Sequence, residues 1–192
     1  LFGSSSPYSF PTLGFEKTVS KINIESVRDS YSNSFSPLNS KLVVVGNIDS
    51  ESLHSEINSA LIDWTTKPNV IEQQIEFNKP GKKVFIIDKE GSVQTEIRAG
   101  HLTSKRNPED YFQKQIVNLV LGGQFSSRLN LNLREKNGYT YGIHSHFNYW
   151  KDAGFFGIST SVDTELTYSA LKEIFFEVDE IKDGITQEEL SF

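Results

Sequence analysis

From Tyr139 to Trp150 the side chains alternate in character, and after Lys151–Gly154 the chain returns through Phe155–Val162. Successive strand residues point to opposite faces of a sheet. Tyr139, Tyr141, Ile143, Ser145, Phe147 and Tyr149 are therefore expected on one face. Thr140, His144, His146, Asn148 and Trp150 are expected on the other. A long run closed by a short turn and an immediate return is a hairpin, so the fold must contain antiparallel strands.

The remaining elements are read around that hairpin. Lys83–Asp88 and Ser92–Thr103 are expected strands, joined by the turn Lys89-Glu90-Gly91. In the second, Val93, Thr95, Ile97 and Ala99 alternate with Gln94, Glu96 and Arg98, which predicts one wet face. Further upstream, Leu1–Gly14 reads as an extended arm, and Asn23 caps a helix that ends before Ser36-Pro37. Lys41–Gly46, KLVVVG, reads as a buried strand. Asp49 or Ser50 caps a helix with the stripe Leu53, Ile57, Ala60, Leu61 and Trp64.

Thr65–Lys82 has the composition of a linker, which places a boundary near Pro68. Asn107-Pro108 opens a helix whose expected stripe is Phe112, Ile116, Leu119 and Val120, stopped by Gly122-Gly123. A shorter helix runs from Ser126 or Ser127 through Arg134 and ends at Gly138. Asp163 or Thr164 caps a helix with the stripe Leu171, Ile174, Phe175, Val178 and Ile181. Thr186-Gln187-Glu188-Glu189 is a capping box. The fold class is α+β, two-layered, with helices packed on one face of a mainly antiparallel sheet.

Composition removes several function classes. With 19 basic and 25 acidic residues the net charge is −6, which repels phosphate backbones and argues against a nucleic-acid partner. No apolar run approaches the ~18 residues of a membrane-spanning segment. There are 0 Cys, so disulfides, thiolate nucleophiles and cysteine zinc sites are excluded. A chain without cysteine suits a periplasmic or a cytoplasmic setting equally. With 0 Met and a start at Leu1-Phe2-Gly3, it reads as a processed product or an excised piece. No GxxxxGK[ST] or GxSxG motif is present, which disfavours a nucleotide loop and a serine-hydrolase elbow.

Two segments could carry chemistry. His144 and His146 lie on one strand face, roughly 7 Å apart, and could share a metal if a third ligand came from elsewhere. They serve equally as two surface histidines, and His54, in LHSEI, reads as a helix-surface residue. In RLNLNLREKNGYTYG, Arg134 ends a helix, Gly138 permits a sharp turn, and Tyr141 follows on the strand. A guanidinium and a phenol at one helix–strand corner could donate to a peptide carbonyl or to an oxyanion forming on it. Arg134 capping its own helix while Tyr141 packs in the core is the competing arrangement.

GGQFSSRLNLNLREKNGYTYG resembles the second-half signature of the insulinase, pitrilysin and mitochondrial processing peptidase family of zinc metalloendopeptidases. PYSFPTLG and the run NIESVRDSYSNSFSPLNSKLVVVGNIDSESL are similar to the end of that family's first half. The resemblance implies two homologous α+β units around a substrate chamber. The first unit binds zinc through an inverted HxxEH motif and a distal Glu. The second contributes an Arg and a Tyr that contact substrate, and these correspond to Arg134 and Tyr141 here.

No HxxEH occurs in this chain, so no catalytic zinc is expected on it and it should be inactive alone. The resemblance implies that residues 1–67 are the tail of the zinc-bearing unit and residues 68–192 the head of the second. It also implies that KLVVVG could fill a vacant position in the second unit's sheet, giving a permuted domain or a strand-swapped homodimer. The implied partners are a zinc-bearing N-terminal half or subunit and a peptide substrate. The alternative is an inactive family member serving as a scaffold or assembly subunit.

Overall fold

The structure, a computed structural model, describes residues 1–3, 6–65, 81–107 and 109–191, the side chain of Asn39 aside. The chain divides into two compact units, Phe10–Glu76 and Leu1–Ser9 with Phe77–Phe192. The boundary expected near Pro68 lies outside the described residues.

The Phe10–Glu76 unit holds α1 (Glu16–Val19), α2 (Ile24–Ser34) and α3 (Ser50–Leu61). The expected caps are in place. Asn23 Oδ1 accepts from the Ser26 N–H at 2.8 Å, and Asp49 Oδ1 accepts from the Glu51 N–H at 3.2 Å. α2 stops at Ser34, ahead of Pro37. KLVVVG does not form the expected strand. Val43 and Val45 are exposed, and the sheet found among the described residues contains only three other segments. A β-branched run has the capacity for a strand, but only a pairing ladder makes one, and this segment has none among the described residues.

The second unit is built on β1 (Gln94–Thr103), β2 (Ile143–Tyr149) and β3 (Gly154–Asp163), in the antiparallel order β1-β3-β2. The expected hairpin is β2–β3, with Ile143 opposite Thr160 and Tyr149 opposite Gly154. Lys83–Asp88, in contrast, forms no strand, and Val84, Phe85, Ile86 and Ile87 are all exposed. The wet face of β1 is as expected: Ile97 is buried while Gln94, Glu96 and Arg98 are exposed. The residue facing β3 at Ile97 is Thr160, so the core face runs from Ile97 through Thr160 to Ile143.

Helices cover that core face. α4 (Tyr111–Asn118) continues into a π-helical turn at Leu119–Gly123, and a second π-helix spans Asn130–Lys136. α5 (Thr167–Glu180) follows a short 3-10 turn at Thr164–Leu166. Leu129, Leu133, Ile143, Ile158, Val162, Ala170 and Ile174 close the core, with Leu171, Val178 and Ile181 packed against it. The stripe expected on α4 is displaced. Phe112, Ile116 and Leu119 are exposed, whereas Val120 is buried as expected and Asn118 is buried beside it in the helix. The π turn shifts the phase only of residues after it, so the exposure of Phe112 and Ile116 reflects which side of α4 meets the sheet. Polar groups anchor α4 instead, with the Ser145 hydroxyl donating to Asn118 Oδ1 at 2.9 Å. Gly122 allows this close approach, since a Cβ there would lie 2.8 Å from Ser145 Oγ and 2.9 Å from Leu129 Cδ1.

The N-terminal arm is not simply extended. Pro7–Ser9 forms a 3-10 turn, and Phe2 and Tyr8 lie against Trp150, at 5.5 and 5.3 Å between ring centroids. At the other terminus the capping box forms. The Thr186 N–H donates to Glu189 Oε2 at 2.8 Å, and the Glu189 N–H donates to Thr186 Oγ1 at 3.2 Å. Arg128 clamps this box, donating from Nη2 to Glu189 Oε2 and to the Gly184 carbonyl, both at 2.8 Å.

Hydrogen bonds from Arg128, reinforced by Thr186, hold the Glu189 carboxyl down at about 2. A depressed carboxyl stabilises the fold above its unfolded value, near 4.5, and loses that contribution as pH falls towards 2. Between pH 6 and pH 3 the full shift would be worth about 2 kcal/mol, and screening of this partly exposed pair brings the extra loss of the wild type over Glu189→Gln to about 1 kcal/mol. Urea midpoints at the two pH values check this, and equal losses would remove the clamp. Glu177 acts oppositely and in a different window. Burial raises its carboxyl, against the Asn132 hydrogen bond, so its contribution weakens as pH rises above 4.5.

Candidate functional site

The corner between the second π-helix and β2 is organised by Asn130. Its Nδ2 donates to the Ile143 carbonyl at 2.8 Å and to Ser127 Oγ at 3.1 Å, and its Oδ1 accepts from the Ile143 N–H at 3.2 Å. The buried carboxamide thus exchanges with Ile143 both bonds that a neighbouring strand would supply. Gly138 then turns the chain at φ +64°, a conformation that glycine reaches without strain.

Past that turn the alternation expected from Tyr139 breaks. Thr140 Oγ1 accepts from the Gly142 N–H at 3.1 Å, donates to the Ser161 carbonyl at 2.8 Å, and meets Thr160 Oγ1 at 2.9 Å. This local hydroxyl–backbone turn replaces the first rungs of the strand, so β2 begins only at Ile143. Tyr141 is thereby turned away from the core and is 98% exposed, which overturns the core-packed arrangement for it.

Tyr141 stands on an open cleft of about 390 Å³ on the wet side of the sheet. Gln94, Glu96, His144, Ser159 and Ser161 line the same cleft. They share a face because Glu96 pairs with Ser161, and Ser159 with both Arg98 and His144. The cleft therefore offers a phenol, an imidazole, hydroxyls and one carboxylate, a set suited to hydrogen-bonding a polypeptide. Sequence reading singled out Tyr141 and His144. It did not bring in Gln94, Glu96, Ser159 and Ser161, because strand register, which alternation does not reveal, places them beside Tyr141.

Arg134 lies on the second π-helix and is not among the residues lining that cleft. No hydrogen bond joins it to Tyr141. Its guanidinium carbon sits 3.9 Å from the centre of the Phe125 ring, and Nη1 comes 3.3 Å from Glu135 Oε1. It donates no hydrogen bond to its own helix terminus, so the expected alternative cap is not formed either.

His144 and His146 do share a face, but His146 turns its ring edge-on to Phe155, at 5.5 Å between centroids. Among the described residues no group of three or more His, Asp or Glu could hold a metal ion. No described helix is long and apolar enough to cross a membrane.

The family model described as the peptidase M16 inactive domain matches residues 21–191. The chain belongs to this family. The assignment upholds the resemblance drawn from the GGQFSSRLNLNLREKNGYTYG segment and the α+β class. A crystallised M16 inactive domain from Pseudomonas fluorescens superimposes with a TM-score of 0.89, at 25% identity over 98% of this chain and 46% of that one. An uncharacterized zinc protease of Streptomyces coelicolor is 25% identical over 94% of this chain and 40% of its own length. A non-peptidase homolog of Helicobacter pylori is 26% identical over 97% of this chain and 43% of its own.

The M16 chain described here thus spans well under half the length of these curated relatives. It is a non-catalytic unit of a zinc-protease family, and no HxxEH zinc motif lies within it.

Proposed function

We propose that this M16 unit is the substrate-contacting, non-zinc part of a metalloendopeptidase that hydrolyses peptides or small proteins in an enclosed chamber. The observation that carries the reading is Tyr141, fully presented to solvent at the rim of a polar cleft. Its hydroxyl donates to a substrate carbonyl and to the oxyanion that develops there. Arg134, whose donors are uncommitted to hydrogen bonds, holds a second carbonyl. Zinc, carried by the other half, supplies the activated water when bound. The chain's own residues bind and orient the polypeptide.

The test is reconstitution. The chain alone should leave a quenched fluorogenic peptide intact, and adding the zinc-bearing half should produce chelator-sensitive cleavage above that of the zinc half by itself. Cleavage by the zinc half that is unchanged by this chain would remove the proposed role.

A second reading, an inactive scaffold or assembly subunit, is favoured by the relative named a non-peptidase homolog. An intact HxxEH in the zinc-bearing half of the same protein would separate the two readings.

A further inference from the structure

We infer that Phe125 is a positioning residue for Arg134, holding its guanidinium flat so that the Nε and Nη2 donors, and not the buried Nη1, present a fixed edge to a polypeptide oxygen. The inference rests on the substrate-contact reading of Arg134 given above. Phe125 lies between the two π-helices and is 67% exposed, so it contributes little to the core. An exposed aromatic of that size is usually better placed inside. Here the face of its ring covers the guanidinium at 3.9 Å, well within cation–π range.

No other strong restraint on Arg134 exists among the described residues. It makes no hydrogen bond, and Nη1 is shut from water without an acceptor. The 3.3 Å approach of Glu135 Oε1 is an ion-pair distance without hydrogen-bond alignment, and an adjacent, half-exposed carboxylate contributes little. The ring is therefore the main element fixing the plane of the guanidinium. A planar fork held in one plane recognises an oxygen acceptor directionally, which a lysine ammonium could not do. The shared chemistry of the ligand is a peptide oxygen, either an internal carbonyl or a C-terminal carboxylate.

The test uses this chain assembled with the zinc-bearing half proposed above. Binding of a fluorescein-labelled Ala/Ser/Gly peptide is measured by anisotropy, once with a blocked and once with a free C-terminus. Phe125→Leu should weaken binding about three- to tenfold, and Phe125→Trp should restore it, because the indole face is the better cation partner. In the Arg134→Gln background, Phe125→Leu should have no further effect. Its thermal midpoint should match the wild type, since the ring is outside the core. A loss seen with both peptides assigns the ligand to an internal carbonyl, and a loss confined to the free end assigns it to the carboxylate.

If Arg134→Gln weakens binding while Phe125→Leu does not, the positioning role is overturned and the substrate-contact reading stands. Additive losses in the double variant also overturn it. If neither variant changes binding, the substrate-contact reading of Arg134 fails along with it.

Discussion

In the protease proposed above, Tyr141→Phe should lower kcat/KM roughly a hundredfold, the usual scale for removing one donor to a developing oxyanion. The loss should fall mainly on kcat, because an oxyanion accepts a stronger hydrogen bond than the ground-state carbonyl. Stability should be unchanged within about 0.5 kcal/mol, since a fully exposed hydroxyl supports no core contact. Steady-state kinetics with the fluorogenic peptide, alongside a urea melt of the same preparation, separates the two effects. A kcat within a factor of two of wild type would show that the phenol makes no contact with the reacting carbonyl.

The largest effect on stability should come from Asn130→Leu, a change of similar volume. The leucine would leave the buried N–H and C=O of Ile143 without their partners, and Ser127 Oγ would lose a donor. Each buried backbone group left unsatisfied costs about 1–3 kcal/mol, so the total should be roughly 3–5 kcal/mol. Asn130→Asp should also destabilise. It keeps an acceptor for the Ile143 N–H but sets a carboxylate oxygen against the Ile143 carbonyl. Urea denaturation followed by far-ultraviolet circular dichroism gives both values. A leucine variant within 1 kcal/mol of wild type would mean that water replaces the carboxamide and that the corner does not depend on it.

What the sequence made legible follows from how local each signal is. Asn23, Asp49 and the Thr186–Glu189 box act over three residues, and each bonds as expected. The β2–β3 hairpin and the wet face of β1 also come from short-range alternation. KLVVVG and Lys83–Asp88 were misread because composition records a capacity for pairing, whereas pairing needs a neighbour.

The α4 stripe and the orientation of Tyr141 failed for a different reason. The side of α4 that meets the sheet is set by the Asn118–Ser145 contact, and one threonine hydroxyl taking a backbone N–H resets the alternation for the residues after it. Asn130 left no sequence signal, since an asparagine within a helical segment looks like an ordinary surface position. Phe125 belongs to the GGQFSSRLNLNLREKNGYTYG segment, but nothing in the spacing places its ring against Arg134.

The open segment Val84–Ile87 bears on how this protein must be handled. Four successive exposed apolar residues without a ladder among the described residues are the kind of stretch through which separate molecules zip together into insoluble aggregates. Purifying the unit by itself at high concentration favours that outcome. Co-production with the zinc-bearing half proposed above, or a lysine placed within the run, is the practical way to keep it in solution.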